Sequence, residues 1–97
     1  MPTVYIPTLL QSLTGGRGSV QAEGATVREL IDNLEAAWPG LRERLLDEGK
    51  LRSNISVAID GEISPLGLRE RLKPSSEVHF VAAIKGGSYF GRSMAGF

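Results

Sequence analysis

The feature that most constrains this chain is that only one long stretch carries helical spacing. Val27, Leu30, Ile31, Leu34 and Trp38 recur at intervals that stack on one side of an α-helix, with Arg28, Asp32, Asn33 and Glu35 opposite. Thr26 and Glu29 stand ahead of it at capping-box spacing: the hydroxyl can accept the orphan N–H three residues on while the carboxylate reaches back. A lone amphipathic helix cannot cover its own apolar stripe, so it needs a flat partner. With 97 residues there is room for one core. There is no cysteine, so neither disulfides nor thiolate-bound metal can staple the fold, and packed apolar side chains must hold it.

Segments of period two on both sides of the helix supply that partner. Thr3, Tyr5 and Pro7 alternate with Val4 and Ile6. A short apolar stretch through Leu9, Leu10 and Leu13 leads to Thr14-Gly15-Gly16-Arg17-Gly18 and then Ser19-Val20-Gln21-Ala22, which together predict an N-terminal hairpin. Pro39-Gly40 breaks the helix; Leu41, Leu45 and Leu46, with Arg44 facing Glu48, predict a second helical piece that Gly49 ends. Ile55 to Ile59 alternates as a half-buried strand, and Asp60-Gly61 turns it into Glu62-Ile63. Ser64-Pro65 opens a short helical turn. Its Leu68-Arg69-Glu70-Arg71-Leu72 repeats Leu41 to Leu45 letter for letter, too short for a repeat unit, and reads as one amphipathic turn reached twice. Glu77 to Lys85 is the final strand, with Val78, Phe80, Ala82 and Ile84 on one face and His79, Val81, Ala83 and Lys85 on the other. The order β-β-α-(α)-β-turn-β predicts an α+β domain of the β-grasp plan. A mixed sheet carries one main helix packed across it and short extra helical turns, with the first and last strands side by side at its centre.

Charge excludes some functions. Eleven Lys plus Arg balance eleven Asp plus Glu, which removes the footprint of a nucleic-acid or anionic-membrane binder. Residues 1–48 carry four basic and seven acidic side chains and residues 49–97 seven and four, a dipolar layout suited to docking a protein. The N-terminus has no basic stretch leading into a long apolar run, and no apolar window is long enough to span a membrane. The absence of cysteine fits a reducing cytoplasm, the expected location.

No catalytic constellation emerges. Gly15-Gly16-Arg17-Gly18 lacks the Lys-Ser/Thr pair and following helix of a phosphate loop, and reads as a hairpin turn. His79 is the only histidine, so a histidine-based metal site or Cys-His pair is excluded. Asp60 and Glu62 flank a turn glycine with no apolar pocket to separate their pKa values. Gly86-Gly87 is either a flexible strand exit or something more specific. If Gly87 were the last residue, a strip without side chains would carry a free carboxylate into a narrow active-site channel. Such a carboxylate can attack the α-phosphate of ATP, and a sulfur donor can convert the resulting acyl-adenylate into a thiocarboxylate.

These residues carry a resemblance. The ending Glu77-Val78-His79-Phe80-Val81-Ala82-Ala83-Ile84-Lys85-Gly86-Gly87 resembles that of the ubiquitin-like sulfur carriers of the MoaD/ThiS type. The likeness to the CysO branch is closest, in Ile6-Pro7-Thr8, Thr14-Gly15-Gly16, Ser19-Val20, Gly24 with Thr26, Leu34-Glu35-Ala36, Glu43-Arg44-Leu45 with Asp47, and Gly49-Lys50-Leu51, and covers residues 4–87. The resemblance implies that Gly87 is adenylated by a MoeB/ThiF-like enzyme using ATP, with no cofactor bound permanently to the carrier. The loaded sulfur then passes to a sulfur-accepting synthase. In the CysO branch that partner makes cysteine from O-phosphoserine, and sibling carriers serve thiamine, molybdopterin, siderophore or thiosugar assembly. Two departures stand out. The proline often found shortly before the double glycine is replaced by Ala82 and Ala83, and ten residues, 88–97, follow Gly87. While they remain, the Gly87 carbonyl is an amide. The resemblance therefore implies a precursor cut at Gly87–Ser88 by a JAMM-type zinc metallopeptidase.

The expected organisation is a carrier-like domain over residues 1–87 and a mobile extension over 88–97. The carrier itself catalyses nothing and acts as a monomer, docking on partners through His79, Val81, Ala83 and Lys85. Two alternatives stay open: a protein modifier conjugated through Gly87, and a β-grasp interaction module whose Tyr89, Phe90 and Phe97 dock in place.

Overall fold

A computed structural model describes residues 1–82. Seven strands and two α-helices follow one another as β1 (Thr3–Tyr5), β2 (Ser19–Gln21), α1 (Val27–Ala37), α2 (Leu41–Leu45), β3 (Leu46–Asp47), β4 (Lys50–Leu51), β5 (Ile55–Ile59), β6 (Glu62–Ile63) and β7 (Glu77–Ala82). Five of the strands form one sheet in the order β2-β1-β7-β5-β6. β1 and β7 run parallel at its centre, with Val4 opposite Val78, and the remaining pairs are antiparallel. This is the mixed β-grasp sheet that the element order predicts.

α1 begins where the capping box places it. Thr26 is extended, and its hydroxyl accepts the Glu29 N–H at 3.3 Å. The Glu29 carboxylate reaches back to the Ala25 N–H at 3.0 Å, one residue ahead of the cap. The helix buries Val27, Leu30, Ile31 and Leu34 against Val4, Val20, Val57, Val78 and Phe80 from the sheet. Each such side chain contributes about 1.5–3 kcal/mol by leaving water. Gly24 lets the chain pass tightly under α1: a Cβ there would lie 2.6 Å from the Leu30 backbone nitrogen.

Three local features differ from expectation. The hairpin strands are joined through a 3₁₀ turn, Thr8–Thr14, so β1 stops at Tyr5 and Pro7 opens the turn instead of continuing the strand. The buried Thr14 hydroxyl, 3.1 Å from the Gln11 carbonyl and 2.9 Å from that of Arg17, shares its proton between them and closes the turn. The second helix ends at Leu45 and not at Gly49. Leu46 pairs with Leu51 and Asp47 with Lys50 in a miniature hairpin, turned by Glu48 (φ 53°) and Gly49 (φ 78°). Glu48 therefore leaves the helical register in which Arg44 would have faced it. The second copy of the pentapeptide is not a second helix: only Gly67–Arg69 forms a 3₁₀ turn, and Arg71 bridges to Thr26.

Candidate functional site

Directly paired residues share a face of a sheet. On the side opposite α1, one row therefore crosses all five strands through Ser19, Tyr5, His79, Ala58 and Ile63, and Val81 and Ser56 form the start of the next. Tyr5 and His79 stack, with ring centroids 4.2 Å apart and planes 9° from parallel. The stack half-buries both rings and fixes the imidazole over the centre of the sheet. Ala58 beside it is small and buried, so the surface stays flat, while Ile63 and Val81 are 60% and 45% exposed.

At the end of the sheet where β1 and β7 both finish, this face runs into an open groove of about 1040 Å³. It is lined by residues from Tyr5 to Leu10, by Asn54 and Ile55, and by His79 to Val81, together with Glu43, Arg44 and Arg52. Leu9 projects almost entirely into solvent at 89% exposure. Arg52 is held by the Glu43 carbonyl, which accepts from its Nη2 at 2.8 Å and its Nε at 3.3 Å.

Polar side chains elsewhere are occupied in shaping the fold. The Asp60 carboxylate accepts the Glu77 N–H at 2.9 Å, tying the β5–β6 turn to the start of β7, and does not pair with Glu62. Arg17 lies 5.6 Å from the Trp38 ring centre, which anchors the glycine-rich turn as hairpin structure. Glu35 accepts the N–H groups of Gly40 (3.1 Å) and Arg42 (2.9 Å) at the start of α2. The Arg42 and Gly40 amides hold its carboxyl below the ordinary value of 4.5. Arg42 also pairs with Asp32 at 2.9 Å. Among the described residues, no group of three His, Cys, Asp or Glu side chains could hold a metal ion, and no helix is long and apolar enough to cross a membrane. Among the described residues the arrangement offers a surface for binding.

Of the residues singled out from the sequence, His79 and Val81 lie on the uncovered side of β7. Ala83, Lys85, Gly86, Gly87 and Ser88, and the extension over 88–97, lie outside the described residues. Period two places His79 and Val81 together, but it cannot reveal Tyr5 beside them or Ile63 further along the same row, because those meet only through strand register. The groove wall from Pro7 to Leu10 is likewise set by the 3₁₀ turn, for which the sequence offers Pro7 as a start and Gly15 as a stop.

Comparison with known proteins agrees with this architecture. Residues 4–87 match the ThiS family. The sulfur carrier protein CysO of Mycobacterium tuberculosis is 37% identical over 90 residues, covering 88% of this chain and 97% of the relative. Among solved structures, the Amycolatopsis orientalis BexX/CysO complex contains a chain superposing with a TM-score of 0.84 at 39% identity, over 90% of this chain and all of the other. Small archaeal modifier protein 1 of Haloferax volcanii superposes with a TM-score of 0.70 at 27% identity, over 86% and 97%. The uncovered sheet face, the parallel central strands and the match ending on the second glycine converge: the chain belongs to the ThiS family of ubiquitin-like sulfur carriers, which are carriers and not enzymes.

Proposed function

We propose that this chain is a sulfur carrier made as a precursor and that it serves cysteine biosynthesis. Hydrolysis of the Gly87–Ser88 amide by a JAMM-type zinc metallopeptidase frees the Gly87 carboxylate. In a MoeB/ThiF-like enzyme a carboxylate oxygen attacks the α-phosphorus of ATP and pyrophosphate leaves. A donor sulfur then attacks the acyl carbon and AMP departs, leaving a thiocarboxylate for a sulfur-accepting synthase. The carrier holds no cofactor of its own, works as a monomer, and acts in the cytoplasm, where ATP is at hand. The observation that carries this reading is that the family match stops at Gly87, with ten residues still to follow. The two CysO relatives named above support the cysteine branch.

Docking runs over the uncovered side of β7, through His79 and Val81 and onward through Ala83 and Lys85. The Amycolatopsis orientalis CysO, solved in complex with BexX, supports a carrier that works by seating on partner proteins. Intact-mass measurement of the native protein tests the chemistry. Loss of residues 88–97 together with sulfur in place of one carboxylate oxygen is the expected result; only full-length, sulfur-free protein under sulfur limitation would overturn it. Val81→Asp tests the surface. Val81 is 45% exposed, so the variant should fold as the wild type does while losing most of its loading by the activating enzyme, and unchanged loading would remove this face from the docking site.

The likeness to small archaeal modifier protein 1 favours one further reading, in which activated Gly87 passes to a lysine amine. The products separate the two: a carrier gains sulfur, whereas a modifier appears in larger isopeptide-linked species.

A further inference from the structure

We propose that the extension masks the carrier: the aromatic side chains of residues 88–97, Tyr89 and Phe90 first, seat in the groove at the end of β1 and β7. Three observations converge on this occupant. The first is position. Ile55, which lines the groove, is paired with Ala82, the last described residue of β7, so the described chain ends beside the groove wall. Five residues, 83–87, separate that point from Ser88; extended, they reach at most about 18 Å. The double glycine allows the chain to reverse, because glycine takes positive φ without steric cost.

The second is chemistry. Leu9, Leu10, Ile55 and Val81 give the groove an apolar lining, and Arg44 and Arg52 line it as well, beside a single carboxylate, Glu43. Guanidinium groups beside apolar walls suit aromatic rings, which bury a large area and present a face to the cation. Half of the aromatic residues in the chain, three of six, fall within residues 88–97, and that segment contains no acidic side chain that would compete for the arginines. The third is size. At about 1040 Å³ the groove lies just above the range of roughly 300–1,000 Å³ typical of small-ligand pockets, which is room for a few side chains.

The consequence for regulation rests on the proposed function: the precursor covers ground next to Val81 that the trimmed carrier offers to its activating enzyme, so cutting at Gly87 exposes the carboxylate and the docking surface in one event.

The test uses the full chain with no enzyme or ATP present. Methyl NMR with a soluble paramagnetic agent reads the solvent exposure of Leu9, Leu10, Ile55 and Val81 in the wild type and in a Tyr89→Ser, Phe90→Ser double variant. Masking predicts that these methyls are protected in the wild type and lose that protection in the variant, at every protein concentration. Leu9→Arg, at a position too exposed to affect folding, should abolish the protection in the same way. Equal exposure in the wild type and the double variant overturns the proposal. Protection that fades on dilution also overturns it, because the occupant would then be the tail of a second copy. Failure of a chain ending at Gly87 to be adenylated would count against the sulfur chemistry and leave the masking intact.

Discussion

The same five letters do two different things in this molecule. Leu41-Arg42-Glu43-Arg44-Leu45 is the short helix α2, with both leucines 1% exposed, while Leu68-Arg69-Glu70-Arg71-Leu72 makes part of a 3₁₀ turn and then straightens, with both leucines only half-buried. Their surroundings explain the difference. The first copy begins with its leading amides already satisfied by the Glu35 carboxylate, which favours helical propagation. The second has its backbone claimed by the segment that leads into α1: the Glu70 carbonyl accepts the Val27 N–H at 3.0 Å, and the Leu72 N–H donates to the Ala25 carbonyl at 2.9 Å. At Glu70 the backbone turns extended (φ −62°, ψ 133°) to make those bonds. A pentapeptide this short is too weak a helix former to choose its own conformation, so partners far along the chain choose it.

Truncating the leucines gives the largest effect. Leu45→Ala should cost about 2–5 kcal/mol, the range for a fully buried leucine, and Leu72→Ala clearly less. Urea denaturation of both variants measures the gap, and equal losses would mean that the two copies contribute alike to the core. Next comes the segment on which the second copy rests. Gly24→Ala drives a methyl group into the Leu30 backbone, and the overpacking should cost about 1–3 kcal/mol. Hydrogen exchange should then show the Leu72 amide opening more readily while the Leu45 amide keeps its order relative to the global unfolding; parallel changes at both would dissolve the distinction. The smallest effect concerns the first copy's cap. The Glu35 carboxyl titrates below its ordinary 4.5 in the folded chain, so its charged form adds stability that is fully present above that pH and disappears as the pH falls through the lower native value. The stability gap between wild type and Glu35→Gln should therefore close on acidification, as urea midpoints across a pH series would show. A gap that stays constant would assign the capping to something other than the carboxylate.

The parts of the fold that were legible in the sequence share a reason. α1 shows repeated apolar spacing and an explicit cap, and β7 is long enough for its alternation to separate Val78 and Phe80 from His79 and Val81. Asp60-Gly61 names its own tight turn. β3 and β4, at two residues each, are too short to show a period, so the apolar spacing of Leu45 and Leu46 read as more helix. The 3₁₀ turn hid among Leu9, Leu10 and Leu13 for a related reason: a short apolar run fits a turn and a strand equally. The candidate surface was half visible. His79 and Val81 come from a single strand, whereas the Tyr5 stack depends on which residue of β1 lies opposite His79, a choice made by the hydrophobic pattern of both strands and by the connections between them.

The placement of β7 between β1 and β5 has a mechanical consequence. Whatever takes hold of the chain beyond residue 82 pulls along an axis flanked by ladders on both sides. The load is then spread in shear over many backbone hydrogen bonds at once, and none is peeled open one at a time. A protein whose last strand lay at the sheet margin would fray under the same tug; β7 is rooted at the middle of its sheet, so a pull along it leaves the globule whole.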